Sequence, residues 1–407
     1  MGTTASTTLN PKRTSTSSVL LVHNRYQQPG GEEQVVDSEA MLLAERGHDV
    51  HRFEEDNRRA TAMNHIKLGV ATVWNFDAAR RLESFVKQTK PDVVHFHNTF
   101  PLISPAAYRA VRQSGAAVVQ TLHNFRLACT NGLLFRDGRP CEQCLTAWFP
   151  WPGIYHRCYR DSVLASAAVT SMLAFHRVLG TWQKHVDAYV IPGEFARGKL
   201  VEGGVPSRKT YINSNFLEID PGIGAGSGGY ALFAGRLSDE KGLRTLIAAW
   251  KRLPLPLPLR VLGDGPLAEW LKDESLTAPH IQWLGLLPRS EVLLQMKDAS
   301  MLVFPSECYE TCPLTILEAF GTGLAVVAGA HGAAASLVQD GRTGLLFEAG
   351  NAESLAKNVI RLLQNPELRR DIGKNARREF ERLYTREGHY ERLLGIYQAA
   401  TQERSRP

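Results

Sequence analysis

No apolar run in the 407 residues approaches the roughly 20 that a helix needs to cross a bilayer. A membrane-spanning helix is thereby excluded, and the longest apolar stretches are of strand length. Residues 1–17, MGTTASTTLNPKRTSTS, have no apolar core and so lack the pattern of a secretory leader. They are expected to form a disordered tail. Cysteine is scarce, six in all. With no leader sequence beside them, these cysteines are poor candidates for a disulfide framework. The dinucleotide fingerprint G-x-G-x-x-G is missing from the first strand–helix junction. There is also no block of Lys and Arg interleaved with aromatics, which argues against nucleic acid as a partner.

What is present is the composition of a soluble globular protein, 43% hydrophobic and 22% charged. A chain of this length exceeds one ordinary core and predicts two domains. The net charge of +6 favours anionic partners without choosing among them.

Taken in order, residues 18–23 read as a strand, followed by a loop with Gly30 and Gly31, a helix over 34–46 and a second strand at 49–53. This is the opening of a doubly wound α/β domain. Further strands are read at 91–97, 116–122 and 187–192, with a long helical stretch over 160–182. His95, His97 and His123 stand near strand ends, where α/β domains bind their ligands, and His123 is the strongest candidate of the three. Between two of these strands fall Cys129, Cys141, Cys144 and Cys158, with Cys-x2-Cys at their centre. A structural zinc held by four thiolates, disulfides and unliganded thiols are the three readings of that insertion, 129–158.

The Gly-rich run at 221–229 reads as a linker, after which the strand–loop–helix pattern restarts. The first domain is thus expected over 18–220 and the second over 230–385. The last helix, 386–407, is expected to cross back to the first domain. In the second half, Arg236 and Lys241 lie five apart in a strand-to-helix loop. With the helix N-terminus at Pro313, Leu314 and Thr315, they form an anion site suited to a diphosphate. Glu318 could accept ribose hydroxyls there, with Glu310 nearer the helix start for the hydroxyls of a sugar. Pro313 suits the first helical position.

These pieces together resemble the retaining glycosyltransferases of family 4, which have the two-domain GT-B architecture. The resemblance runs over Gly30-Gly-Glu-Glu33, Arg46-Gly-His-Asp-Val50, Asp92-Val-Val-His-Phe-His97 and Thr121-Leu-His-Asn124. It continues through Gly235-Arg-Leu-Ser-Asp-Glu-Lys-Gly242, Gly263-Asp-Gly-Pro266, the Glu310 and Glu318 pair, and Asp340-Gly-Arg-Thr-Gly-Leu-Leu346. The cysteine segment resembles a subgroup of bacterial surface-polysaccharide transferases. The resemblance implies a UDP- or GDP-sugar donor and a saccharide or lipid-linked acceptor. It implies a cytoplasmic setting, with peripheral contact at the inner face of the membrane, and no metal requirement for catalysis. Arg236 and Lys241 would bind the diphosphate, Leu314 and Thr315 would offer backbone N–H groups, and backbone near Leu286 would meet the base. Glu318 would contact the ribose, Glu310 the transferred sugar, and His123 would lie beside that sugar. The loop at Gly31 would approach phosphate or acceptor. Members often carry Glu-Gly-Phe-Gly where this chain has Glu310-Thr-Cys-Pro-Leu314, so the donor sugar stays unnamed. A nucleotide-sugar epimerase or a glycosyl phosphorylase on the same architecture, and a zinc-ribbon nucleic-acid binder, are the rival readings.

Overall fold

The computed structural model describes residues 17–28 and 30–405. Apart from Ser17, the expected tail lies outside the described residues. Among the described residues fourteen strands occur in chain order: β1 (Ser18–Arg25), β2 (Asp49–Asp56), β3 (Val93–Phe96), β4 (Ala117–Thr121), β5 (Phe135–Arg136), β6 (Arg139–Pro140), β7 (Ala188–Ile191), β8 (Thr210–Ile212), β9 (Ala231–Ala234), β10 (Leu259–Leu262), β11 (Ile281–Gly285), β12 (Met301–Phe304), β13 (Val326–Gly329) and β14 (Gly344–Phe347). Six form a parallel sheet in the order β2-β1-β3-β4-β7-β8, and six form a second in the order β11-β10-β9-β12-β13-β14. β5 and β6 make a small antiparallel hairpin.

Each sheet is apolar on both faces because helices cover both, which is why its strands read as short unbroken apolar runs rather than alternating ones. In β1, Leu20 and Val22 belong to one core, while Val19 and Leu21 belong to the core on the opposite face. In the second sheet, Phe233 and Val303 face one core, and Leu232 and Leu302 the other. Strand order reverses between β1 and β3 in the first sheet and between β9 and β12 in the second. Loops leaving neighbouring strands at such a point splay apart and open a crevice at the carboxyl ends.

The helix Pro366–Leu383 packs Ala376 and Phe380 into the second domain. The chain then turns at Tyr384, and the Thr385 hydroxyl accepts from Gly388 N to cap the helix Arg386–Arg404. That helix lies on the first sheet, with Leu393, Ile396, Tyr397 and Ala400 in one core with Val19, Leu21 and Val119.

Two sequence expectations need correction, and one segment had no expectation. The helical stretch expected over 160–182 is two helices, Val163–Val178 and Thr181–Lys184, parted by Gly180 at φ +63°. Pro313 caps its helix in extended backbone and Leu314 is the first helical residue, because proline's missing N–H costs as little at the cap as one residue later. Helices Arg58–Thr61, His65–Val73 and Phe76–Thr89 fill a segment that carried no reading. Asn64 and Asn75 cap the second and third of these through their side chains.

The docked last helix makes one contact that can be tested alone. Tyr397 Oη lies 2.8 Å from Nδ1 of the fully buried His95. Tyr397→Phe keeps the ring packing but leaves that nitrogen without a partner, so a loss of about 1–3 kcal/mol is expected by calorimetry.

Candidate functional site

The two crevices face each other across one cleft of about 1880 Å³. Gly31 and His123 line it from the first domain. Arg236, Lys241, Leu286, Glu310, Leu314, Thr315 and Glu318 line it from the second. The nine residues singled out in the sequence for donor and catalysis thus share one space.

Backbone geometry around Arg236 and Lys241 depends on glycine. A Cβ on Gly263, at φ +128°, would sit 1.9 Å from Gly235 O, and one on Gly242, at φ +71°, would sit 1.9 Å from Pro305 O. Both positions exclude a side chain, so β9, β10 and β12 can bring their loops together closely enough to aim two cations into the cleft. Lys241 closes a short 3-10 turn, Asp239–Lys241, and its Nζ lies 2.6 Å from Glu310 Oε1. Ser306 Oγ donates to the same carboxylate at 2.9 Å. Burial alone would raise the pKa of Glu310, but the adjacent ammonium outweighs it and holds the carboxylate below the usual range. Lys241 is desolvated too, and Glu310 more than offsets that, so its pKa is raised. Arg236 is exposed on the cleft wall.

The helix Leu314–Gly321 starts in the cleft. The N–H groups of Leu314 and Thr315 belong to its first turn, have no intrahelical acceptor and stand at the positive end of the dipole. One turn on, Glu318 Oε1 accepts from Arg289 Nε at 3.1 Å. Burial raises the Glu318 pKa, and Arg289 opposes that shift. Arg289 went unread in the sequence. It follows the end of β11 in Leu286-Leu-Pro-Arg289, and a cation just past a strand's carboxyl end was the signal available.

On the other wall, His123 follows β4 and is half-buried, and its Nε2 lies 2.9 Å from His97 Nδ1. Burial lowers the His123 pKa to about 3, so the ring is neutral at any working pH. Gly31 is the first residue of the helix Gly31–Glu45, and a Cβ there would come within 3.3 Å of Leu314 Cδ1 across the cleft. The loop containing Glu310 bridges the domains directly. Thr311 Oγ1 donates to His123 O at 2.9 Å, and Asn215 Nδ2 donates to Cys312 O at 2.8 Å.

Cys129, Cys141, Cys144 and Cys158 gather around one small cavity, all as free thiols. Among the described residues no three of their sulfurs lie within 4.8 Å of one another, whereas Zn–S bonds of about 2.3 Å would draw them closer. Burial raises the thiols of Cys144 and Cys158 to about 11. The fit to a closed zinc site is therefore incomplete as the side chains stand.

Known proteins resemble the chain in both halves. The family profile described as Glycosyltransferase Family 4 matches residues 29–220, and that of Glycosyl transferases group 1 matches 224–379. The chain belongs to the glycosyltransferase family. Sulfoquinovosyl transferase of Arabidopsis thaliana is 34% identical over 154 residues, 37% of this chain and 30% of that protein. Alpha-monoglucosyldiacylglycerol synthase of Acholeplasma laidlawii is 29% identical over 152 residues, 36% of this chain and 37% of that protein. Over these partial matches the chain spans about a third of the relative's length. Phosphatidyl-myo-inositol mannosyltransferase of Mycolicibacterium smegmatis is 23% identical over 374 residues, 84% of each chain. Among solved structures, sucrose-phosphate synthase of Thermosynechococcus elongatus superposes with a TM-score of 0.70 at 17% identity, covering 94% of this chain and 98% of that one. HepE of Anabaena, solved with UDP, gives 0.67 at 15% identity, covering 93% and 98%. Both have the two-domain GT-B fold expected from the sequence.

The sequence also passed over Glu32, which lines the cleft from the first domain. Tyr26 Oη donates to its Oε2 at 3.2 Å, and its Oε1 is buried without a hydrogen-bond partner. Burial, with Glu33 adding, raises its pKa to about 8. The folded state therefore binds a proton that the unfolded state releases near pH 4.5, so this group's contribution falls as pH rises from about 4.5 to 8. Glu32→Gln mimics the protonated form. The variant is expected to match the parent's melting temperature near pH 4 and exceed it by a few degrees at pH 8.5, measured by scanning calorimetry.

Proposed function

We propose that the protein transfers a sugar, with retention, from a nucleoside diphosphate sugar to a lipid-linked saccharide in polysaccharide or glycolipid synthesis. The observation that carries this reading is the convergence of Arg236, Lys241 and the start of the helix Leu314–Gly321 on one wall of the cleft. Such a wall binds a diphosphate and stabilises the charge that develops as the nucleotide departs. In this reading Glu318 meets the ribose and backbone near Leu286 meets the base. Glu310 receives hydroxyls of the transferred sugar, held in place by Lys241 and Ser306 rather than free to turn. The departing phosphate oxygen takes the acceptor's proton. UDP in HepE of Anabaena supports a nucleotide on this fold.

The acceptor reading rests on the first domain's wall. Ile66, Val70 and Leu164 line the cleft yet are 79%, 59% and 79% exposed. An apolar strip of that kind, continuous with a polar donor site, suits a hydrocarbon chain carrying a saccharide at its end. Relatives named for glycerolipid or inositol-lipid substrates support the same class. Among the described residues no helix is long and apolar enough to cross a membrane. For the cysteine insertion, four thiols on one cavity support a structural zinc if its loops close further. Metal analysis of protein purified without chelator tests this, with one zinc per chain expected and none counting against it.

Glu310→Gln and Lys241→Met are each expected to lower turnover about 10²–10³-fold while the protein stays folded by circular dichroism. Undiminished turnover in both would defeat the donor reading. Donor incubated without acceptor should be hydrolysed slowly. An epimerised sugar would instead favour an epimerase, and sugar phosphate from a glycan plus inorganic phosphate a phosphorylase. In a thermal-shift panel, the matching nucleoside diphosphate at a hundred times its Kd should stabilise by about 2.7 kcal/mol.

A further inference from the structure

Beneath the first domain's wall lies a group of polar side chains that the donor site does not use. Glu39, on the helix Gly31–Glu45, is 1% exposed, and His95, His97 and His389 are 0%, 3% and 1% exposed. Glu39 Oε1 lies 3.0 Å from His389 Nε2, on the last helix. The opposite oxygen, Oε2, lies 3.4 Å from His97 Nε2. Neither Oε2 nor Nε2 has a hydrogen-bond partner in the structure, and at this distance each is the nearest complement the other has. His97 Nδ1 in turn lies 2.9 Å from Nε2 of His123, whose ring reaches the cleft.

These distances fix an order of protons. Burial would raise the Glu39 pKa, but the hydrogen bond and charge of His389 hold it below the usual glutamate range, so Oε2 is a bare acceptor. A buried acceptor beside His97 Nε2 requires the proton on that nitrogen, since two lone pairs facing each other in an apolar interior are costly. A neutral His97 then has a lone pair on Nδ1, which accepts from His123 Nε2–H. Burial keeps both rings neutral, His97 well below its ordinary value and His123 at about 3. The proton on Nε2 leaves Nδ1 of His123 bare.

We infer that Glu39 and His97 are positioning residues that hold His123 as the tautomer whose bare Nδ1 accepts a hydrogen bond from a hydroxyl of the bound sugar. This rests on the transfer reading above for the identity of the ligand, but not for the proton order. A buried carboxylate that fixes an imidazole's tautomer through hydrogen bonds is an established way to ready a histidine. Here the carboxylate acts through a second histidine. A metal on Glu39, His95 and His97, whose donor atoms lie within 4.8 Å of one another, fits less well. Both ring nitrogens of His95 are already engaged, Nδ1 with Tyr397 Oη at 2.8 Å and Nε2 with Thr121 Oγ1 at 2.7 Å. No ring lone pair is left for an ion.

The test is a long-range ¹H–¹⁵N correlation spectrum of the full chain labelled at its histidine ring nitrogens, with His123 assigned by its loss in His123→Gln. The expected wild-type signal has Nε2 protonated and Nδ1 bare, unchanged from pH 5.5 to 8. Glu39→Leu removes the acceptor from beside His97 Nε2, whereas Glu39→Gln would not. His389 Nδ1 donates to Ser214 O at 2.9 Å, so its Nε2 can accept from the amide N–H₂ and leave the amide oxygen on His97. In Glu39→Leu nothing holds the order, and a His123 signal protonated on Nδ1 is expected beside the one protonated on Nε2. Turnover of the nucleotide sugar that the wild type uses should fall several-fold, up to about tenfold, one hydrogen bond's worth. The titration midpoint for UDP should move less than twofold, because the groups assigned to the nucleotide stand on the other domain. A wild-type His123 protonated on Nδ1, or the same single tautomer in Glu39→Leu, overturns the inference. If Glu39→Leu does not fold, the wild-type spectrum decides by itself. If the wild type turns over no donor, the transfer reading fails while the spectrum still reports the proton order.

Discussion

The ion pair between Lys241 and Glu310 sets the terms for the whole cleft. Two opposite charges 2.6 Å apart at the floor of a crevice hold each other in place without ligand. Neither can collapse onto a nearer partner, and Ser306 fixes the carboxylate from a third direction. A half-buried pair of this kind is weak evidence for stability, since the cost of partly removing two charges from water offsets much of their attraction. Its value lies in preorganisation. When an anion arrives, the ammonium already stands at the wall and the carboxylate already points at the space beside it, so little reorganisation is needed as charge develops. The glycines at 242 and 263 make this possible, because any side chain there would push the loops apart by more than the length of the ion pair tolerates.

The same loop couples the two domains. Residues 311–313 are where the sequence leaves the commoner pattern of the family it resembles, and the structure gives that departure a physical content. The Thr311 hydroxyl and the Cys312 carbonyl each bond to the first domain, one at the backbone of His123 and the other at Asn215. The Phe195 ring meets Tyr309 at a centroid distance of 4.8 Å just upstream. A glycine at 311 could not make the hydroxyl bond, whereas any residue at 312 offers the carbonyl, so the departure adds one side-chain bond across the cleft and biases it toward closure. The departure therefore touches closure first and the sugar pocket second.

Much of this was legible in the sequence, for a reason that also marks the limit. Strands buried on both faces must be apolar throughout, so β1, β4, β9 and β12 stood out, and loops at their carboxyl ends had to carry the chemistry. Arg236, Lys241, Glu310 and Glu318 were found that way because their positions follow from strand and helix ends. Arg289 and Glu32 were missed because their roles come from contacts, with Glu318 29 residues away and with Tyr26. In the helix His65–Val73, Ile66 and Val70 lie exposed along the cleft, which blurs the helical period. The helix Phe76–Thr89 buries Ala78, Leu82 and Val86 at four-residue spacing, the last two in the first core, a signal that was available and went unread. The cysteine insertion shows the opposite failure. Spacing suggested ligands, but irregular loops with Leu134, Asp137 and Arg157 at positive φ set where the sulfurs go, and no spacing rule reports that.

The last helix is where sequence order and spatial order differ most. Residues 386–404 come after the second domain is complete, yet they close the core of the first. Tyr397 and His389 enter the polar group around Glu39 from that helix, at distances of 2.8 and 3.0 Å to His95 and Glu39. The state of His123 at the cleft thus depends on a segment about 270 residues later in the chain. The docked helix brings His389 against the buried Glu39 carboxylate, a contact that a charge in this interior needs. Docking is then favoured by more than its apolar area.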